Sequence, residues 1–440
     1  MNKVFLLLFL PITLFAQTQE TEKLDNYFKA QESVKGFSGA VLVMKQNKVV
    51  LRKGYGRADM EWNIPNSADT RFRVGSVTKQ FTAACILQLE EKGKLSVNDK
   101  LSKYFPGYPK VDSITIHMLL NHTSGIANYT NIPEFMKVAR LNLSKDSMVN
   151  FFKNRPFGFS PGTKFSYSNS GYFLLGIIIE KVSGLSYNAY LRQHIFNKLA
   201  MNESGVDRLD TILSKRAKGY SKAGKKFVNA EYISMDWPFS AGVIYSTLDD
   251  MYKWDRALYN NTVLSESSRK KMFTPGLSNY GYGVNIDSLD GHPRIWHNGG
   301  IPGFLTNFSR FTKDDLCIVV FSNNETNADF LSLAISNIMF GEEVEAPYFH
   351  KEVKIDPSLL DKFVGKYSAG LIIEVIKKDN KLYRHRNGSP DIELKPESPT
   401  KFFYDDETDR VLEFELDKDG KVAKIWFHNS GQKGELKKVQ

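Results

Sequence analysis

The stretch "RVGSVTKQFTAACILQLEEKGKLS", residues 73–96, places Ser76 three positions before Lys79, where a helical pattern begins. Val77, Phe81, Ala84, Cys85 and Leu89 recur at helical spacing. Residues three apart on a helix share a face, so the Lys79 amine can reach the Ser76 hydroxyl. The helix N-terminus adds free N–H groups and partial positive charge, which lower the cost of negative charge near the serine. The same residues also fit a plain reading, with Ser76 as a helix cap and Lys79 in solvent. Ser-x-x-Lys starts again at Ser267, Ser268, Ser398 and Ser430. Only Ser76 follows a glycine and opens a long apolar-faced helix.

A Ser–Lys pair is more useful with a second proton-transfer group and an oxyanion site. Tyr-x-Asn occurs at Tyr129, Tyr167 and Tyr259. The copy in "PGTKFSYSNSGYFLLG" lies between a Pro-Gly turn and an apolar helix, which would hold Tyr167 and Asn169 rigidly. Further on, "RIWHNGGIPGF" carries His297, Asn298, Gly299 and Gly300 after a strand-like run. Consecutive glycines beside a strand let a ligand approach the backbone closely. A strand N–H there could complete an oxyanion hole with the N–H of Ser76. Taken singly, Tyr167 also fits a half-buried aromatic at a loop edge, and His297 a strand-end histidine.

Around these segments, "FSGAVLVMKQNKVVLRKGYG" reads as an antiparallel hairpin turning at Gln46-Asn47. Residues 100–270 read as mostly helical, and "GYFLLGIIIEKVSG" as a buried helix ended by Gly184. "RIWHNGG", "FLTNFSRFT" and "DLCIVVFSNN" return to strand character, followed by an amphipathic helix in "NADFLSLAISNIMFGEE". The expected fold class is α+β. An antiparallel sheet built from N- and C-terminal strands is flanked by a mostly helical region, with a small all-β C-terminal domain added. The expected boundaries are a hydrolase domain at 25–341, a linker at 342–358 and a barrel-like domain at 359–440.

"GSVTKQFTA", "LLNHTSGI", "YSNSGYFLLG" and "HNGGIPGF" occur in that order at wide intervals. Together they resemble the serine β-lactamase-related family, which includes class C β-lactamases, penicillin-binding D,D-peptidases and esterase relatives. The resemblance spans roughly residues 25–340. It implies an acyl-enzyme on Ser76, with Lys79 as base and Tyr167 as proton shuttle. It also implies that Asn169 contacts the substrate amide, that His297, Asn298 and Gly299 line the site, and that Gly300 N–H joins Ser76 N–H as the oxyanion hole. Many β-lactamases carry Lys-Thr-Gly where this chain has His-Asn-Gly. A lysine is a fixed cation that suits a substrate carboxylate, whereas histidine is mostly neutral near pH 7. The histidine form is similar to the family's esterases and peptidases. The expected activity is therefore hydrolysis of a small ester, D-amino-acid peptide or related amide, cell-wall-derived peptides included. The alternatives are a class C-like β-lactamase and a penicillin-binding sensor that does not turn over.

The 440 residues, 42% of them apolar, suffice for a large globular domain and a small one. The eight histidines are scattered and no paired metal-ligand spacing is present, so neither metal nor cofactor is expected. The net charge of +10 is spread along the chain, without the basic stripe of a nucleic-acid binder. Cys85 and Cys317 have apolar neighbours and read as buried free thiols. "MNKVFLLLFLPITLFAQTQE" has a basic start, an apolar run and a small residue at Ala16, the pattern of a secretory leader. The run is too short for a membrane anchor, which takes about 20 residues. The expected location is periplasmic or extracellular. In a bacterial host the mature chain should begin at or near Gln17. Intact-mass analysis of the exported protein checks this, and a retained residue 1–16 segment would refute it.

Overall fold

Gln46 and Asn47 take φ values of 51° and 60°, as a two-residue type I′ hairpin turn requires. They join β1 (Gly39–Lys45) to β2 (Lys48–Tyr55). The computed structural model describes residues 12–208, 210–224, 226–368, 372–406, 408–429 and 431–439. Four later strands complete the sheet: β3 (Asn285–Leu289), β4 (His292–Ile301), β5 (Phe304–Phe311) and β6 (Leu316–Ser322). The order is β3-β4-β5-β6-β1-β2, antiparallel throughout. β1 pairs with β6 in the register Val41↔Val320. The N-terminal hairpin thus closes a sheet whose other strands come from the far end of the region, as the α+β reading expects.

β6 is buried along its whole length and β1 along all but its last residue. Strands covered on both faces need continuous apolar runs, and "AVLVM" and "LCIVVF" supply them. Five helices matter here: α1 (Ile12–Lys35), α2 (Thr78–Glu91), α3 (Asn169–Ser183), α4 (Phe239–Gly242) and α5 (Ala328–Met339). Ala40 and Leu42 of β1 and Val319 of β6 share one buried cluster with Phe81 of α2 and Ile178 of α3. α2 is buried from Thr78 to Leu89, which places it in the interior rather than at the surface. α3 is capped by the Ser168 side chain, which accepts from Gly171 N, and ends at Gly184 with φ 74°. Cys85 and Cys317 are both buried and free.

The chain divides into two compact units, one built on Phe37–Ile335 and the other on Glu22–Gly36 with Ser336–Gln440. Residues 342–356 carry no helix or strand. In the second unit eight strands, from Gly365–Ser368 to Gln432–Val439, close into an antiparallel barrel. Its interior holds Phe363, Tyr367, Phe402 and Phe414. Closure leaves no unpaired sheet edge among the described barrel strands. The leader expected at residues 1–16 falls mostly outside the described residues. Among the described residues, no helix is long and apolar enough to cross a membrane. Among them, too, no cluster of three metal-ligating side chains occurs.

One close approach connects the fold to the site. A Cβ on Gly176 of α3 would lie 2.1 Å from Ser240 Oγ and 2.5 Å from Phe239 Cε1. α4 therefore rests directly on the backbone of α3. In an open helix, Gly→Ala would gain about 1 kcal/mol of propensity. Here overpacking, about 1–3 kcal/mol, opposes that gain and should exceed it. Gly176→Ala is expected to lower the denaturant midpoint of the protein, and an unchanged or raised midpoint would show that α4 can retreat freely.

Candidate active site

Gly75 precedes Ser76 with φ 52°, a backbone state that costs an ordinary residue and suits glycine. A side chain there would also collide, because its Cβ would lie 2.8 Å from Gly300 N. Val74 is fixed on both sides. Its N–H donates to Ile244 O at 2.9 Å, and its carbonyl accepts from Thr306 Oγ1 at 2.9 Å. The short strand Phe72–Arg73 pairs with Ile244–Ser246 just before. The chain then makes a 3-10 turn, Gly75–Val77, and enters α2. Ser76 is thereby held between β4 and the start of α2, half-buried.

Lys79 lies one turn further on and is 0% exposed. Its Nζ is 3.0 Å from Ser76 Oγ, 2.8 Å from Asn169 Oδ1 and 2.8 Å from Ala241 O. These three contacts match the three donors of an ammonium. No acidic side chain bonds to the amine among the described residues. Burial holds the Lys79 pKa well below its ordinary value. Tyr167 lies in the loop before α3, and burial raises its hydroxyl pKa, an effect the neighbouring Ser76 side chain partly offsets. Lys79 Nζ sits 4.7 Å from the centre of the Tyr167 ring. Asn169 opens α3 and turns its Oδ1 to Lys79, while its Nδ2 faces Thr130 Oγ1 at 3.4 Å.

β3 pairs with β4 only as far as Trp296. From His297 to Ile301, β4 lies beside the Gly75 turn, where Gly299 keeps space for it. A Cβ on Gly299 would lie 2.0 Å from Val74 O. His297 is 1% exposed, and its Nδ1 faces the Asn298 carbonyl at 2.6 Å while Nε2 faces the Tyr280 hydroxyl at 2.9 Å. A carbonyl only accepts, so Nδ1 carries the hydrogen and Tyr280 donates to Nε2. Burial, with Lys79 nearby, pushes the His297 pKa down to about 3. The ring is neutral and both nitrogens are occupied.

The structure thus gathers Ser76, Lys79, Tyr167, Asn169, His297, Gly299 and Gly300. The Asn298 side chain stands apart, and its Nδ2 donates to Asp329 on α5 at 2.7 Å. Successive strand residues face opposite ways, so Asn298 and His297 lie on different faces. Four contributors have no counterpart in the sequence reading of the site. Ala241 offers a backbone carbonyl that no side-chain pattern reveals. Asn128 Oδ1 accepts from Asn169 N at 3.0 Å. Tyr280 and His122 enclose the site from separate loops, and only His122 belongs to one of the recurring motifs, "LLNHTSGI".

A cleft of about 140 Å³ opens over Ser76. Its walls include Tyr129, Phe135, Ile233, Trp237, Pro238 and Ile301, and among the described residues no charged side chain lines it. Tyr129 spends its hydroxyl on Trp237 O at 2.8 Å, so the ring presents an apolar surface.

A family model described as Beta-lactamase matches residues 24–338. The "Putative penicillin-binding protein PbpX" of Bacillus subtilis (strain 168) is 36% identical over 311 residues, 70% of this chain and 75% of that protein. The crystal structure of a penicillin binding protein from Bacillus halodurans is 31% identical at a TM-score of 0.64, covering 71% of this chain and 98% of that one. A D-stereospecific amidohydrolase from Streptomyces sp. is 25% identical at a TM-score of 0.63, covering 72% of this chain and 98% of that one. The chain belongs to the β-lactamase family of serine hydrolases.

Proposed function

We propose that the protein hydrolyses esters or amides of neutral, apolar acyl groups through an acyl-enzyme on Ser76. The observation that carries this reading is the set of partners around Lys79 Nζ. Asn169 Oδ1 and Ala241 O can only accept hydrogen bonds. Ser76 alone can also donate. When burial removes one proton from the amine, its lone pair has one useful direction, toward the serine hydroxyl.

The steps follow from that placement. Ser76 Oγ attacks the substrate carbonyl carbon as its proton passes to Lys79 Nζ. The carbonyl oxygen becomes an oxyanion, held by the N–H groups of Ser76 and Gly300. Tyr167 gives its hydroxyl proton to the leaving group, the C–N or C–O bond breaks, and the Lys79 ammonium restores the tyrosine. Water then enters, loses its proton to the same pair, and releases the acid with Ser76 restored. Asn169 Nδ2 gives one hydrogen to Thr130 Oγ1 and has a second with which to meet the substrate amide, while its Oδ1 is spent on Lys79.

The cleft supports the substrate class. It is walled by aromatic and aliphatic side chains, and the β4 position that could hold a cation carries the neutral His297. A carboxylate beside the scissile bond would find no cationic side chain among the described residues that line the cleft. The D-stereospecificity of the Streptomyces amidohydrolase, taken with the aromatic walls of the cleft, makes amides of N-acylated aromatic D-amino acids the first amides to screen. We propose further that residues 25–341 form the hydrolase domain, 342–358 a linker and 359–440 a small separate domain, and that the protein is exported after loss of its leader.

Ser76→Ala should abolish turnover and covalent labelling by a fluorophosphonate, with Ser76 carrying the adduct in the parent protein. Tyr167→Phe should slow acylation by at least the ~10²-fold typical of general acid–base groups. Peptide mapping by mass spectrometry decides, and an adduct on another serine would refute the assignment. An adduct that forms and never turns over would favour a sensor instead. Neutral esters and amides should show higher kcat/KM than a D-Ala-D-Ala peptide or a cephalosporin, both of which carry a carboxylate. The reverse order would sink the substrate class.

The pH profile follows from the two perturbed groups. Lys79 must be neutral to accept the serine proton, so kcat/KM should fall as pH drops through its lowered pKa. His297 is neutral down to about 3, so it adds no limb above pH 5 or so. His297→Gln should therefore leave the midpoint of the acid limb in place. A midpoint that moves with His297 would assign the limb to the imidazole.

A further inference from the structure

Tyr167 lies in a loop, with no helix or strand of its own to fix the hydroxyl at Ser76. We propose that His122 is the positioning residue that clamps Tyr167 for proton transfer, a role that rests on the acyl-enzyme reading above. The amides on both sides of Tyr167 bond to this one residue. Ser166 N–H donates to the His122 carbonyl at 2.9 Å, and Ser168 N–H donates to His122 Nδ1 at 3.1 Å. The imidazole also packs on the tyrosine ring, with centroids 4.3 Å apart. Backbone on either side and ring face are thus all fixed by a residue 45 positions earlier in the chain.

The arrangement is held against local preference. His122 takes φ 60°, a left-handed state that non-glycine residues rarely adopt unless the surroundings impose it. It is 1% exposed. Because Nδ1 accepts from Ser168, the hydrogen sits on Nε2, and among the described residues Nε2 has no hydrogen-bond partner. The rings of Phe165, Tyr172 and Tyr280 surround it instead. A strained backbone and an unpaired buried donor are costs without local return, and what they secure is the fixed lone pair on Nδ1. Burial, with Lys79 and His297 nearby, keeps the ring from protonating and so keeps that lone pair available.

Asparagine is the informative replacement. Its Oδ1 lies where His Nδ1 does, and it tolerates the left-handed region. In the full chain, His122→Ala should slow single-turnover acylation of Ser76 by about 10- to 100-fold, the range that misplacement of a catalytic group can cost. KM should change little, and His122→Asn should recover most of the rate. In a Tyr167→Phe background, His122→Ala should cost less than about twofold, because the two residues act as one unit. Equal losses in both backgrounds, or Asn no better than Ala, would overturn the role. If His122→Ala does not fold by circular dichroism, His122→Asn is compared with His122→Gln, whose carbonyl lies one methylene too far. Equal rates for that pair would likewise overturn it. If fluorophosphonate labels no Ser76 in the parent protein, the acyl-enzyme reading itself falls. If Ser76 is labelled and the losses are additive, only the clamp falls.

Discussion

Lys79 Nζ touches Ser76 Oγ, Asn169 Oδ1 and Ala241 O, and it is sealed from water. Those three atoms come from the turn before α2, the first residue of α3 and the short helix α4. No two of these elements could shift independently without breaking a contact to the amine. Burying an ammonium costs several kcal/mol even after relaxation. Each unit of lowered pKa corresponds to about 1.4 kcal/mol between the charged and neutral forms. The unfolded chain therefore binds a proton more tightly than the folded one at this position. That difference weighs against the folded state below the ordinary lysine pKa of about 10.4, and it grows as pH falls toward the lowered value. The rest of the first unit, with its apolar strands and buried α2, supplies the stability that such a site consumes.

The elements that could be read from the sequence were the ones whose signals are local. The Gln46-Asn47 hairpin follows from turn chemistry. Ser76 and Lys79 follow from helical spacing and the glycine before them. Gly184 marks the end of α3. Strands at both ends of the region required one shared sheet, and β1 pairs with β6 as that requires. The closed barrel follows from short alternating strands with turns between them. What could not be read depends on chain crossings. Ala241 O has no residue signature, because any residue has a carbonyl. The left-handed φ of His122 is imposed by its neighbours. Tyr280 reaches His297 from a loop whose composition says nothing about direction. Asn298 is a different case, since the period of two on a strand already separates it from His297, and Asp329 then engages it from the far face.

Glycine does distinct work at two places where backbone meets backbone beside Ser76. Gly75 must turn with positive φ, and it must also leave room for Gly300 N. Gly299 must let Val74 O approach. Together they allow the turn that carries Ser76 to lie directly beside β4, past the point where β3 stops pairing. A bulkier residue at either position would hold the strand and the Ser76 turn apart, and no side-chain adjustment could restore the contact. The strand's N–H groups become useful at the site because side chains are missing there.

The charge state of the site then explains why its groups are arranged as they are. Lys79, His297 and His122 are each pushed toward their neutral forms, and Tyr167 is held as the phenol. On the proposed mechanism, charge first appears when Ser76 attacks, as an ammonium at Lys79 and an oxyanion at the substrate. The ammonium then meets three acceptors already in place, and the oxyanion meets backbone N–H groups already in place. Dipoles that need no reorganisation stabilise the separated charges more than they stabilise the neutral ground state, and only such a difference accelerates the chemical step. A fixed cation on β4, in the position of His297, would attract an anionic substrate in the ground state as well. It would also raise the energy of the Lys79 ammonium by like-charge repulsion. A neutral histidine avoids that repulsion, which ties the proposed preference for an uncharged substrate to the same buried amine that the proposed mechanism uses as base.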